Sequence, residues 1–452
     1  MLQGIRQIFS LPELRKRIFF TLLMLAVCRV GAYISIPTVN SELVETVFKH
    51  LTGGVQNLFQ LVDIFSGGAF SRLTIFALGV GPYISASIVM QVLTAVMPSL
   101  QREMRENSDV GRKKLAKWTR LLTVVFALVQ SIMYARFAFS FNIQYPGIVL
   151  DSVASITLFG IPILFYLITV AAMTAGCLLL MWIGEQISEK GIGNGISLII
   201  SVGILSSLPS IVGRIIQQLN LDSQESGQLT LISVLMLCVI FVVIITGTIL
   251  IVQGVRKIPL QYARRIVGRK ESQGGSSHIP LKVNYAGVIP VIFAASILVF
   301  PATLAQLSKV EWLTRIASYL SPGQWAYTIA YVVLILLFTY VWTATQFQPA
   351  QIASDMKKNG AFIPGIKQGK HTQDFLEGTM NRITLIGAVS LAFIAILPTL
   401  IAKFLYIDAS ISQFFGGTSL LILVGVALDT SQQIESHLIM KRYDGFMKKR
   451  RI

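Results

Sequence analysis

Charge is scarce in this chain. Asp, Glu, Lys and Arg make up 13% of its 452 residues, where a soluble domain carries about a quarter. A chain so poor in charge cannot clothe itself in polar surface, so a soluble globular protein is excluded. Cysteine is scarce too. Cys28, Cys177 and Cys238 all fall inside apolar runs, with no metal-ligand spacing and no basis for a disulfide framework, and they read as small buried hydrophobes. The four histidines, His50, His278, His371 and His437, lie between or near the ends of apolar runs. H-E-x-x-H and G-x-S-x-G are absent, as is any pair of aspartates facing each other at membrane depth. An intramembrane hydrolase would therefore lack its nucleophile and base. The stretch Gly191 to Gly195 is glycine-rich but lacks the Lys-Ser/Thr of a phosphate loop, and reads as a flexible entry into the next apolar run. No catalytic residue, metal or cofactor is expected.

What the chain has in quantity is apolar length. Hydrophobic residues make up 54% of it and the mean hydropathy is +0.68. Ten windows are long enough to cross a bilayer: 18–36, 73–97, 118–140, 154–183, 192–213, 229–252, 286–304, 325–343, 383–402 and 412–432. The first follows a basic lead-in without a clean cleavage site and reads as an uncleaved span. A shorter apolar stretch, 58–70, is too short and too Gly-rich to cross alone and is expected to re-enter or to sit on another element.

Lys and Arg alternate across these windows. Of the 38, 30 lie with the N-terminus, the even-numbered loops and the tail, seven lie on the opposite side, and Arg29 sits inside the first span. The positive-inside rule then places both termini in the cytoplasm and favours an even count of ten. Two halves of five spans would be inverted relative to each other, the plan that puts a pathway at their interface. Arg29 would cost about 2.5–3.5 kcal/mol facing lipid at a helix centre, so it is expected to contact a neighbouring helix or snorkel outward. Ion-coupled transporters hold several charges at mid-depth. The near absence of such charges here disfavours that alternative and favours a conduit with an apolar interior.

Five stretches resemble the SecY family: FSGGAFSRLTIFALGVGPYISASIVMQVL (65–93), EKGIGNGISLII (189–200), PLKVNYAGVIPVIFAASILVFPA (280–302), GAFIPGI (360–366) and FGGTSLLILVGVALDT (415–430). The resemblance implies an all-α integral membrane protein of ten transmembrane helices, two inverted five-helix halves around a central pore. The halves would be 1–190, with a plug at about 58–72, and 229–452, joined by span 5 and a hinge loop at 191–228. The implied function is conduction of unfolded proteins across, and of membrane proteins into, the bacterial cytoplasmic membrane. The plug would be Phe65, Ser66, Gly67, Gly68, Ala69, Phe70, Ser71 and Arg72. The pore ring would be Ile84, Ile88, Ile196, Ile200, Ile292 and Ile422. A lateral gate between spans 2–3 and 7–8 would use Ser87, Gln91, Gln130, Ser296 and Phe300, whose small and amide side chains suit weak interhelical contacts. The i, i+4 spacing within each isoleucine pair puts both on one helix face, and branched aliphatic side chains leave a narrow passage dry.

The basic cytoplasmic loops, 253–284 and 344–382, would dock partners through Arg256, Lys257, Arg264, Arg265, Lys357, Lys358, Lys367 and Lys370. The implied partners are the SecE and SecG subunits, the SecA motor ATPase, the ribosome through its RNA phosphates, signal sequences, nascent chains and membrane lipids. The family has G-I-R-P-G where this chain reads Gly365, Ile366, Lys367, Gln368, Gly369. Lysine lacks the bidentate fork of arginine, and losing the proline is expected to free the loop.

Overall fold

In the computed structural model, the described residues are 11–50, 63–64, 66–97, 108–155, 162–218, 231–262, 265–267, 270–272, 276–308, 315, 319–320, 324–405, 411, 414 and 418–449. Each of the ten apolar windows overlaps one long helix. These are α1 (Pro12–Gly31), α3 (Gly81–Val96), α4 (Ser108–Gln144), α5 (Ile163–Lys190), α6 (Gly195–Gln218), α7 (Leu231–Gln253), α8 (Ile289–Ser308), α9 (Trp325–Gln346), α11 (Lys370–Leu405) and α12 (Thr418–Lys449). The amphipathic α2 (Ser41–His50) follows α1, and α10 (Pro349–Lys358) precedes α11. Over the described residues α4 to α7, α9 and α11 carry segments long and apolar enough to cross a membrane, while α1, α3, α8 and α12 fall short on length or composition. Branched residues are tolerated in these helices because burial in lipid and protein, rather than propensity, decides the conformation. The helices turn apolar side chains outward: Leu235, Val242, Val243 and Leu250 of α7 are all at least 60% exposed in the isolated chain, as a lipid-facing surface requires.

The buried residues gather in three clusters. One joins α1, α3, α5 to α9, α11 and α12 around the centre of the bundle. A second packs α4, α5 and the segment after α1 around Phe70, Tyr134 and Phe165. The third lies under the basic loops and adds a few short strands to a mostly helical fold. There β1 (Val255–Tyr262), β4 (Ser276–Lys282) and β5 (Ala361–Phe362) form a sheet in the order β4-β1-β5. β2 (Arg265–Val267) and β3 (Lys270–Ser272) pair as a separate two-stranded sheet. In β1, Ile258 and Leu260 are buried and their neighbours are exposed, which is the period of two that a sheet with one covered face demands. That alternation was present in the loop and was masked by its charge.

A correction concerns Gly191 to Gly195, expected to be a flexible entry. Gly191, Ile192, Gly193 and Gly195 are buried. The Ile192 N–H donates to Thr21 Oγ1 of α1 at 3.1 Å, and the Gly193 N–H donates to Gln433 Oε1 of α12 at 2.8 Å. The Gly193 φ of +86° belongs to the left-handed region, which costs glycine little. The stretch is a fastened junction between the two ends of the chain.

Leu281 is fully buried among Ile258, Phe347 and Leu376, so Leu281→Ala is expected to cost about 2–5 kcal/mol of local stability. Hydrogen exchange would show this as faster exchange of the β1 amides, with the amides of α5 unchanged. Unchanged β1 protection would refute the packing account.

Candidate functional site

The segment from Asp63 to Val80 lies between α2 and α3: Asp63, Ile64 and Ser66 are helical, residues 67–80 run as successive turns, and the backbone is tied by the segment's own side chains. Ser66 Oγ donates to the Asp63 carbonyl at 3.1 Å and accepts from the Phe70 N–H at 3.1 Å. Asp63 Oδ1 accepts from the Ser71 N–H at 2.8 Å, and the Gly68 N–H reaches the Asp63 carbonyl at 2.9 Å. Gly67 and Gly68 take φ of +66° and +85°, which lets the chain reverse within so short a knot. A side chain at Gly67 would also meet the Gly203 Cα at 2.8 Å and the Arg29 guanidinium. Of the eight residues expected to form the plug, Phe65 lies outside the described residues, and the other seven form this knot and its exit.

Two anchors hold the knot. Ala69 and Phe70 are fully buried. The Phe70 ring packs edge-on against Phe48 (5.4 Å between centroids) and Tyr134 (5.1 Å), a geometry aromatic pairs favour. Arg72 Nε lies 3.2 Å from Glu45 Oε2, and its guanidinium sits 4.8 Å over the Tyr33 ring. Burial pushes the Asp63 carboxyl above its ordinary range, and the Ser71 N–H and Arg72 offset this only in part.

The six isoleucines expected to line a pore all belong to or touch the central cluster. Ile84 and Ile88 of α3, Ile200 of α6, Ile292 of α8 and Ile422 of α12 are buried in one cluster, and Ile196 packs against it half-buried. Ile64 and Ala69 of the knot belong to the same cluster. Sequence reasoning missed Ile204, which is 1% exposed in this cluster. It continues the face of Ile196 and Ile200 one turn further, so the same i, i+4 rule would have found it.

The residues expected at a seam between α3, α4, α8 and α9 are placed less simply. Gln91 Nε2 donates to Ser87 Oγ of its own helix at 3.0 Å, and Ser296 Oγ donates to the Ile292 carbonyl of its own helix at 2.9 Å. Gln130 is half-buried on α4, and the Phe300 side chain lies outside the described residues. The expected interhelical polar contacts are thus replaced, for Ser87, Gln91 and Ser296, by intrahelical ones. Between α3, α8 and α9 lies a small cavity lined by Ile88, Gln91, Val92, Phe293, Phe338 and Trp342, among others. Gln91 Oε1 is buried without a protein partner. Phe293 meets Phe338 and Trp342 edge-on at 6.0 and 5.8 Å.

The basic residues form one surface. β1 pairs with β5 through Gln261–Phe362 and Tyr262–Ala361, so loops 253–284 and 344–382 share a single sheet and core. Arg256, Lys257, Lys357, Lys358, Lys367 and Lys370 are exposed on it. Arg264 and the Arg265 side chain lie outside the described residues. The loop around Lys367 is not freed by the missing proline. Gln368 Nε2 donates to the Ala361 carbonyl at 3.3 Å and Thr372 Oγ1 donates to the Lys367 carbonyl at 2.9 Å, bonds that tether it in place of a ring. Among the described residues no group of His, Cys, Asp and Glu has the arrangement of a metal site.

A multi-pass helical membrane protein, with a folded-in segment packed on its central apolar cluster and a basic sheet among its loops, is what these elements define. The SecY family model matches residues 74–431, and the chain belongs to that family. It is 59% identical over 449 residues to the protein translocase subunit SecY of Chlamydia muridarum, covering 99% of this chain and 98% of the relative. It is 40% identical over 454 residues to that of Thermotoga maritima, covering 100% and 99%. Its fold is similar to that of a solved protein-conducting channel, with TM-score 0.61 and 19% identity over 93% of this chain and 92% of the other. A second solved structure, of a SecY protein whose plug domain stabilises the closed state, matches with TM-score 0.60 and 18% identity, over the same shares.

The raised Asp63 carboxyl makes a signed prediction. A folded-state pKa above the ordinary value gives stability that is present at low pH and is lost as pH rises through the raised value. Asp63→Asn keeps an oxygen for the Ser71 N–H and removes the buried charge. Thermal unfolding at neutral pH should therefore be unchanged or shifted upward, while Asp63→Ala lowers it. A lower Tm for the asparagine variant than for the alanine variant would contradict this account.

Proposed function

We propose that this chain is the protein-conducting channel of a translocase. It passes unfolded secretory proteins across the cytoplasmic membrane and releases membrane proteins sideways into lipid. One observation carries this reading: six isoleucines from four helices belong to or pack against one apolar cluster, and Ile64 and Ala69 of the folded-in segment belong to the same cluster. A collar without hydrogen-bonding groups closes to ions by dewetting, yet it yields around a chain of any sequence because no specific contact is at stake. Residues 65–72 are the plug. Ile84, Ile88, Ile196, Ile200, Ile292 and Ile422 are the pore ring. Residues 1–190 and 229–452 are two inverted halves, hinged through 191–228, and both termini face the cytoplasm, as the 30-to-7 charge bias supports.

The seam of α3 and α4 against α8 and α9 is the lateral gate, with Ser87, Gln91, Gln130, Ser296 and Phe300 along it. Polar contacts between membrane helices are worth on the order of 0.6 kcal/mol each, so a seam whose polar groups bond mostly within their own helices parts at little cost. Energy comes from outside, through the SecA motor or a translating ribosome. The basic sheet, with Arg256, Lys257, Arg264, Arg265, Lys357, Lys358, Lys367 and Lys370, is the docking face for these partners, and ribosomal RNA phosphates suit its charge. SecE and SecG complete the complex in the bilayer.

Reconstitution with SecE, SecG, SecA and a preprotein tests the reading, with ATP-dependent uptake of the preprotein into vesicles as the expected result and none as the result that defeats it. Within that system, Ile422→Asn places an amide in the collar and is expected to raise the resting ion conductance of planar bilayers. Wild-type conductance would remove Ile422 from the ring. A cysteine crosslink joining α3 to α8 is expected to stop uptake, and full transport by the crosslinked protein would count against the gate.

A further inference from the structure

The first span carries one charge, Arg29, and its partner in the structure is not a neighbouring helix. The Arg29 side chain crosses to the knot, where Nη1 donates to the Gly67 carbonyl at 3.0 Å. Ser206 Oγ of α6 lies 3.4 Å from the same carbonyl oxygen, and it also bonds the Gly203 carbonyl of its own helix at 2.6 Å. Gly67 itself packs onto the Gly203 backbone so closely that a Cβ there would stand 2.8 Å from its Cα. Arg29, Ser66 and Gly203 line one small cavity with Leu25, Val80 and Ile199. The guanidinium is further placed by the Tyr33 ring, 5.9 Å away, whose other visitor is Arg72.

We propose that Arg29 is the latch of the closed channel, a positioning residue that sets how strong a signal must be before the pore opens. The argument is one of alternatives. The Gly67 carbonyl is at the turn of the knot and has no partner within it among the bonds described above. When the knot sits in place, that carbonyl is met by a full positive charge from α1 and a hydroxyl from α6. When the knot leaves, both donors lose it, and Arg29 must be satisfied by incoming water or substrate. A charge-assisted hydrogen bond of this kind biases a two-state equilibrium by about tenfold or more. Phe70 and Arg72, by contrast, hold the exit of the knot to Phe48, Tyr134 and Glu45, so they serve as its root rather than its catch. The proposal rests on the reading of residues 65–72 as the plug.

The test uses the full complex with its partner subunits. Arg29→Met is expected to raise resting ion conductance and, by about tenfold, the uptake of a preprotein with a defective signal sequence relative to one with an intact signal. Arg29→Lys, which keeps a donor, recovers part of the closure. Ser206→Ala gives a smaller rise in the same direction, and carries the test if Arg29→Met does not assemble. A disulfide between Ser66→Cys and Gly203→Cys, in a Cys28→Ala background, separates the two readings. If the disulfide blocks transport while the Arg29 and Ser206 variants keep wild-type conductance and signal dependence, the plug stands and the latch is wrong. If transport continues through the oxidised protein, the plug reading fails and the latch fails with it.

Discussion

Lipid offers no hydrogen bonds, so every backbone group held at membrane depth must find its partner within the protein. Helices meet this demand automatically. The knot between α2 and α3 does not, and its chemistry follows from that fact. Asp63 and Ser66 serve as local caps for Phe70 and Ser71, and two glycines take the left-handed turn. The carbonyl this arrangement leaves at Gly67 is served from outside by Arg29. A folded-in segment that meets its own needs can pack as a unit on an apolar core, with Ile64 and Ala69 in the same cluster as Ile84, Ile88, Ile200, Ile292 and Ile422. Under the proposed reading as a plug, it also leaves as a unit.

The same constraint explains what the sequence disclosed. Span positions and the charge bias are one-dimensional consequences of a bilayer and stood in the sequence without any partner information. The isoleucine faces at 84/88 and 196/200 were legible because helical periodicity is local, and Ile204 was missed only because the repeat was stopped one turn early. What was not legible depended on long-range pairing. Arg29 finds Gly67 across 38 residues, and the Gly193 N–H finds Gln433 across 240. Neither has a local signature. The sheet of β1, β4 and β5 was a different failure. Its alternation was local, but seven basic residues across 253–284 mask the apolar period of Ile258 and Leu260.

The basic sheet shows how one fold element serves two demands. A positive surface is a poor place for order, because like charges repel. Here β5 brings the second loop onto the first, and a core of Ile258, Leu281, Phe347, Leu376 and Met380 gives the exposed lysines and arginines a rigid base. The departure at Gln368 fits this plan. Where the family has a ring that stiffens the loop through its own φ, this chain uses a side-chain bond to the Ala361 carbonyl, a residue of β5 itself. Lys367 is therefore displayed from a tethered loop, although it lacks the forked geometry of arginine.

Closure and lateral opening then make opposite uses of polar side chains. Along the seam, Gln91 bonds Ser87 and Ser296 bonds Ile292, each within one helix. Parting α3 from α8 breaks none of these bonds, and the helices meet mainly through apolar groups such as Ile88, Val92 and Phe293, which lipid or an apolar signal can replace at little cost. At the knot the polar bond runs between elements, from α1 to the Gly67 carbonyl, and must break for the knot to move. Under the proposed function, a protein built this way opens to the side on contact with something apolar. With Arg29 as the proposed latch, it resists opening along its axis until that charge is offered another partner. The two motions differ in what they ask of the substrate, and that difference lies in which polar groups were left to cross between elements.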